Sequence, residues 1–63
     1  MNQKLKDART RANMTQEEVA RASKIPLRVY QGYEYGERIP RATTAVRIAK
    51  ALGCQVEDIY NEA

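Results

Sequence analysis

Residues 15–36 read TQEEVARASKIPLRVYQGYEYG, two short helical patterns separated by a break. Thr15 is followed three residues later by Glu18, with Val19 and Ala20 just beyond. That is the capping box of a helix start, in which the hydroxyl and the returning carboxylate each satisfy a free backbone N–H group. The first helix of the pair therefore runs from about Gln16 to Ala22. Ser23, Lys24 and Ile25 form a short connection, because Pro26 cannot sit inside a helix but suits a first turn. The second helix begins near Pro26 and ends at about Tyr35, where Gly36 is a natural terminator. Val29, Tyr30 and Tyr33 share one of its faces as core candidates, while Arg28, Gln31 and Tyr35 point elsewhere.

The same spacing extends the reading to both sides. Leu5, Ala8, the stem of Arg9 and Ala12 follow the i, i+3, i+4, i+7 pattern of an amphipathic helix over about 2–12. Gly36 to Arg41 reads as a loop with Pro40 at its far end, and Ala45, Ile48, Ala49 and Leu52 restore the helical pattern over about 42–52, up to Gly53. Val56, Ile59 and Tyr60 predict a fifth helix at about 56–62, with Glu57 and Asp58 near its positive N-terminal end. The expected fold is all-α, a five-helix bundle forming one domain over residues 1–63, with no strand candidate, repeat or low-complexity stretch.

Composition narrows the function. A chain of 63 residues and 7.2 kDa has room for one domain, and at this size folding buries only about 60% of the surface of the unfolded chain. Its hydrophobic residues include nine Ala and only eleven Val, Ile or Leu, so the core is built largely of small side chains. The formal net charge is +3, but residues 1–31 carry 7 basic and 3 acidic side chains, net +4, whereas residues 32–63 carry 4 and 5, net −1. The basic charge therefore lies on the half that holds the helix pair. The single Cys54 cannot form an internal disulfide, which points to a reducing, cytoplasmic compartment, and Cys54 itself reads as a small buried hydrophobe. No apolar run approaches the roughly 20 residues that a membrane span requires, so no membrane partner is expected. With no His and one Cys, the chain has no zinc set and no pairing of a nucleophile with an imidazole. An enzyme is disfavoured, and no cofactor, metal or small-molecule ligand is expected.

Two helices joined by a short turn, the second rich in exposed polar side chains, form the geometry that sets a helix into the DNA major groove. Thr15-Gln16 opening the first, Val19-Ala20 inside it, and Tyr33-Glu34-Tyr35-Gly36-Glu37-Arg38-Ile39-Pro40 closing the second resemble the helix-turn-helix family of phage repressors and Cro proteins, the xenobiotic response element family. The likeness continues through Ile48-Ala49-Lys50-Ala51-Leu52-Gly53 and Val56-Glu57-Asp58-Ile59-Tyr60, so it covers nearly the whole chain.

The resemblance implies a sequence-specific regulator of transcription, a repressor occupying operator DNA. It places Leu27, Arg28 and Gly32 at positions facing base edges, with Gln31 beside them, and Gln16 against a phosphate at a helix N-terminus. Tyr35, Arg38 and Arg41 follow around the next loop, where phosphate contacts are expected. Arg9 and Glu34 match an ion pair tying the first helix to the end of the third. Relatives commonly bind as dimers to half-sites about 34 Å apart, so a homodimer is expected, joined through the C-terminal part around the fifth helix. Lys24 stands where the family usually has a turn glycine, which predicts backbone strain there. Pro26 replaces a capping Ser or Thr, and Leu27 can contact only a thymine methyl. The same fold also serves as a protein-binding adaptor or antitoxin-like module. Arg28 and Gln31 favour DNA, whereas a contiguous apolar face on the third helix would favour a protein.

Overall fold

The computed structural model describes residues 1–60. Each of its first two helices begins on a side chain that satisfies a backbone donor. Asn2 Oδ1 accepts the Leu5 N–H at 3.0 Å and starts α1, Gln3–Arg11. Thr15 Oγ1 accepts the Glu18 N–H at 3.1 Å while Glu18 Oε1 accepts the Thr15 N–H at 2.8 Å, and this complete capping box starts α2, Gln16–Ala22. The remaining helices, α3 (Leu27–Tyr35) and α4 (Ala42–Leu52), start after extended residues, Pro26 and Arg41, without a side-chain cap. Both end on glycines in the left-handed region, Gly36 at φ 82° and Gly53 at φ 69°. Pro26 therefore stands just before α3 rather than within it.

The connection between α2 and α3 is closed by Lys24 at φ 60°, with the Ile25 N–H donating to the Ala20 carbonyl at 3.0 Å. This closure is ordinarily made by glycine, and a non-glycine residue in it carries strain of about 1 kcal/mol. Asn13, at φ 57°, turns the chain between α1 and α2.

The expected fifth helix is corrected to a single 3-10 turn, Val56–Asp58, so the described residues hold four α-helices and that turn. The chain from Glu57 to Tyr60 is drawn into contacts with distant parts of the chain. Asn2 Nδ2 donates to the Ile59 carbonyl at 2.7 Å, Lys4 Nζ to the Glu57 carbonyl at 2.7 Å, and the Tyr60 hydroxyl to the Pro40 carbonyl at 2.8 Å. A continuing helix would need those carbonyls and that geometry for itself. Positions 61 and 62 of the expected helix lie outside the described residues.

α2 packs on α3 and α4, while α1 packs on α3 and on the 3-10 turn, which also meets α4. Leu5, Val19, Tyr30, Ile48 and Ile59 are completely buried among Ala8, Ala20, Ala45 and Leu52, with Tyr33 and Cys54 packed at the edge. The alanines let the helices approach closely, so one tyrosine fills the centre. No helix of the described residues is long and apolar enough to cross a membrane.

One charged group lies inside this core. Glu34 is 2% exposed, and its two oxygens receive four donors from three helices. Arg9 reaches it with Nε to Oε2 at 2.8 Å and Nη2 to Oε1 at 3.0 Å, the Tyr30 hydroxyl adds 2.7 Å to Oε2, and Gln16 Nε2 adds 3.1 Å to Oε1. Arg9 spends a further N–H on the Met14 carbonyl at 2.9 Å, which fixes the turn leading into α2. Burial by itself would raise the Glu34 pKa, but the hydrogen bonds from Arg9, Tyr30 and Gln16 outweigh it and hold the carboxyl below its usual value. Burial and the adjacent carboxylate push the Tyr30 hydroxyl well up, and the hydrogen bond to Glu34 raises Arg9.

A carboxylate with a depressed folded pKa contributes stability that is complete above its unfolded value, about 4.3, and is lost as pH falls through the folded value. Urea unfolding should therefore show wild-type stability declining below about pH 4, with a flatter acid limb in Glu34→Gln. At pH 7, Arg9→Ala should cost about 3–5 kcal/mol by leaving the buried charge unpaired. A variant that unfolds like wild type would show that α1 does not depend on this pair.

Candidate nucleic-acid interface

Burial divides α3 along its length. Tyr30 and Glu34 are buried and Tyr33 half-buried, one turn apart on the side that faces α1 and α2. Arg28, Gln31, Gly32 and Tyr35 stand at the i, i+3, i+4, i+7 positions of the opposite stripe. The only carboxylate of α3 is thus turned inward and neutralised, which leaves the outward stripe without acidic side chains. Among the described residues, the ion pairs formed are Arg9 with Glu34 and the exposed Arg21 with Glu17, the latter at 3.9 Å, so Arg28, Arg38 and Arg41 are not paired with a carboxylate.

The residues expected to act on DNA fall into three groups. Arg28, Arg38 and Arg41 are exposed, and Arg41 immediately precedes the uncapped start of α4. Leu27 is 37% and Tyr35 48% exposed, the first at the uncapped start of α3 and the second at its last residue. Gln16 and Gln31 are only half-exposed and engaged with each other, Gln31 Nε2 donating to Gln16 Oε1 at 3.2 Å while Gln16 donates to Glu34. This chain of amides carries the order of the core outward, from the carboxylate to the start of α2 and then to the outward stripe of α3.

Gly32, which the resemblance places facing base edges, is covered by a side chain from the loop. It is buried, and the side chain of Arg38 lies across it: a Cβ at position 32 would stand 3.0 Å from Arg38 Cδ and 3.3 Å from Cγ. The Gly32 carbonyl also accepts the N–H groups of Glu37 at 2.8 Å and Arg38 at 3.1 Å, folding the loop back on the helix. Glycine inside a helix costs about 1 kcal/mol relative to alanine, and the seat it offers Arg38 is the structural reason for it here.

Sequence reasoning missed that contact, since the partners stand six positions apart across the end of α3 and only the folded loop brings them together. It also missed Tyr30 as a donor to Glu34, although their i, i+4 spacing on one helix was a usable signal. Among the described residues, no group of three or more His, Cys, Asp or Glu side chains is arranged to hold a metal ion.

Gln16 offers a direct check of the amide relay. Gln16→Ala should lower stability by about 1 kcal/mol through the lost hydrogen bonds. Gln16→Glu should lower it further at pH 7, because a second carboxylate would face Glu34, and the excess should vanish when the pH is brought below 4. Equal unfolding midpoints for the two variants at pH 7 would contradict the geometry.

The helix-turn-helix family pattern matches residues 5–59. Among curated proteins the chain is similar to the cryptic phage CTXphi transcriptional repressor RstR of Vibrio cholerae, with 28% identity over 60 residues, covering 95% of this chain and 54% of that protein. The chain thus spans about half the length of that relative. No solved structure matches it. The family match runs from the buried Leu5 to the buried Ile59, enclosing the whole core and both helices of the motif. With its capping box, its α2–α3 turn and the outward polar stripe of α3, the chain belongs to the helix-turn-helix family, of the phage repressor and Cro type.

Proposed function

We propose that the chain is a transcriptional regulator that binds double-stranded DNA in a sequence-dependent way, occupying an operator as a repressor and acting as a homodimer. The observation that carries this reading is the outward stripe of α3, which presents Arg28 and Gln31, unaccompanied by acidic side chains, on a helix held by a buried network. Arg28 is the residue for a guanine edge and Leu27 for a thymine methyl, with Gln31 beside them. Gln16, Tyr35 and Arg41 serve the phosphates, helped by the uncapped N-terminus of α4, whose free N–H groups and dipole favour an anion. The similarity to a phage repressor supports the regulatory reading.

Dimension supports the dimer. The longest extent of the described residues is 27 Å, shorter than the roughly 34 Å between successive half-sites, so one copy inserts one α3 into one groove segment. A second copy joined through the C-terminal side leaves α3 free.

Titration of labelled operator DNA, selected from a random duplex pool, tests the proposal. Each phosphate neutralised by Lys or Arg contributes about −0.9 to the slope of log K against log salt, so Arg41 with two further basic side chains per chain gives roughly −3 for a monomer and about twice that for a dimer. The steeper value is expected. Arg28→Ala should weaken operator binding by about 1–3 kcal/mol and relax preference at one base pair. A slope near zero would remove the DNA function and favour a protein-binding module of the same fold.

A further inference from the structure

We infer that Arg38, a loop residue, provides the base-reading side chain that α3 itself lacks at position 32, and that Gly32 is its positioning residue; this rests on the proposed DNA binding. Three observations converge on it. Position 32 lies one helical turn beyond Arg28, at the middle of the outward stripe, where a reading side chain would be most useful, yet the residue there is glycine. The place is not empty, because a Cβ at position 32 would meet Arg38 Cδ at 3.0 Å, Cγ at 3.3 Å and Nε at 3.5 Å. The Arg38 guanidinium thus sets out from the point where a side chain at position 32 would begin. Finally, the Arg38 N–H is tied to the Gly32 carbonyl at 3.1 Å, so the arginine is anchored at its backbone and along its stem, while its guanidinium has no side-chain hydrogen bond or ion pair among the described residues.

The ligand class follows from this placement. Phosphates border a groove, whereas the centre of an inserted helix faces the base edges, and the planar fork of arginine matches O6 and N7 of guanine. Arg28 and Arg38 then present two guanidinium groups along one stripe. A stem already held in place loses less freedom on binding than a free arginine, which favours affinity as well as register.

The test selects duplexes from a random pool with the wild-type protein, Arg38→Ala, Gly32→Ala and the double variant, and compares their sequence preferences. Arg38 is exposed, so Arg38→Ala should melt like wild type. It should lose preference for guanine at one base pair, with affinity for the selected duplex falling about five- to a hundredfold and affinity for duplexes altered at that pair unchanged. Gly32→Ala pushes the stem off its seat and should weaken the same preference at least threefold, but should have no further effect in the Arg38→Ala background. A uniform loss on all duplexes would reduce Arg38 to a phosphate contact and overturn the inference, as would independent, additive effects of the two substitutions. A wild-type protein that enriches no sequence would overturn the proposed DNA function, and the inference with it.

Discussion

A carboxylate inside a domain of this size has to be neutralised where it stands, and Glu34 is neutralised by groups from three helices at once. Burying a charge is costly unless it is both paired and fully hydrogen-bonded. Here two donors reach each oxygen, one side by Arg9 and Tyr30, the other by Arg9 and Gln16. The network joins α1, α2 and α3 at one point, so a shift of any of the three would break one of its bonds. Asn2 repeats the device at smaller scale, starting α1 with its Oδ1, reaching Ile59 with its amide, and giving its own N–H to the Glu34 carbonyl at 2.8 Å.

The consequence appears on the outer face of α3. Because its acidic residue is turned inward, the helix presents a stripe of basic and amide side chains, and the orientation of that stripe is set from behind. The amide relay from Glu34 through Gln16 to Gln31 holds the start of α2 against the same face. At the far end the loop folds back so that Arg38 lies over Gly32. A short helix of nine residues thus gains side chains from its neighbours on both flanks. A net charge of +3 is modest, so the place of each basic group matters more than the total.

Much of the fold is legible from local chemistry. Thr15 with Glu18 marks the start of α2, Gly36 and Gly53 mark the ends of α3 and α4, and the spacing of Ala45, Ile48, Ala49 and Leu52 reports the buried side of α4. The last segment misleads because Val56, Ile59 and Tyr60 have helical spacing, while the groups that end the helix, Asn2, Lys4 and Pro40, come from elsewhere in the chain. Lys24 adopts the left-handed turn that its place in the motif implies, despite the strain, because the packing of α2 on α3 overrides a local preference of about 1 kcal/mol.

The sequence by itself determined the helices that carry caps and terminators, the family resemblance, the inward placing of Tyr30 and Tyr33, though not of Val29, and the location of the basic half. These depend on neighbours within a few residues, where spacing translates directly into geometry. Tertiary structure alone decided that Tyr30 and Gln16 complete the shell around Glu34, that the C-terminal segment stops after one 3-10 turn, and that Arg38 occupies the space over Gly32. Those outcomes join residues whose meeting depends on how helices pack and how loops close, and a linear pattern does not encode that distance.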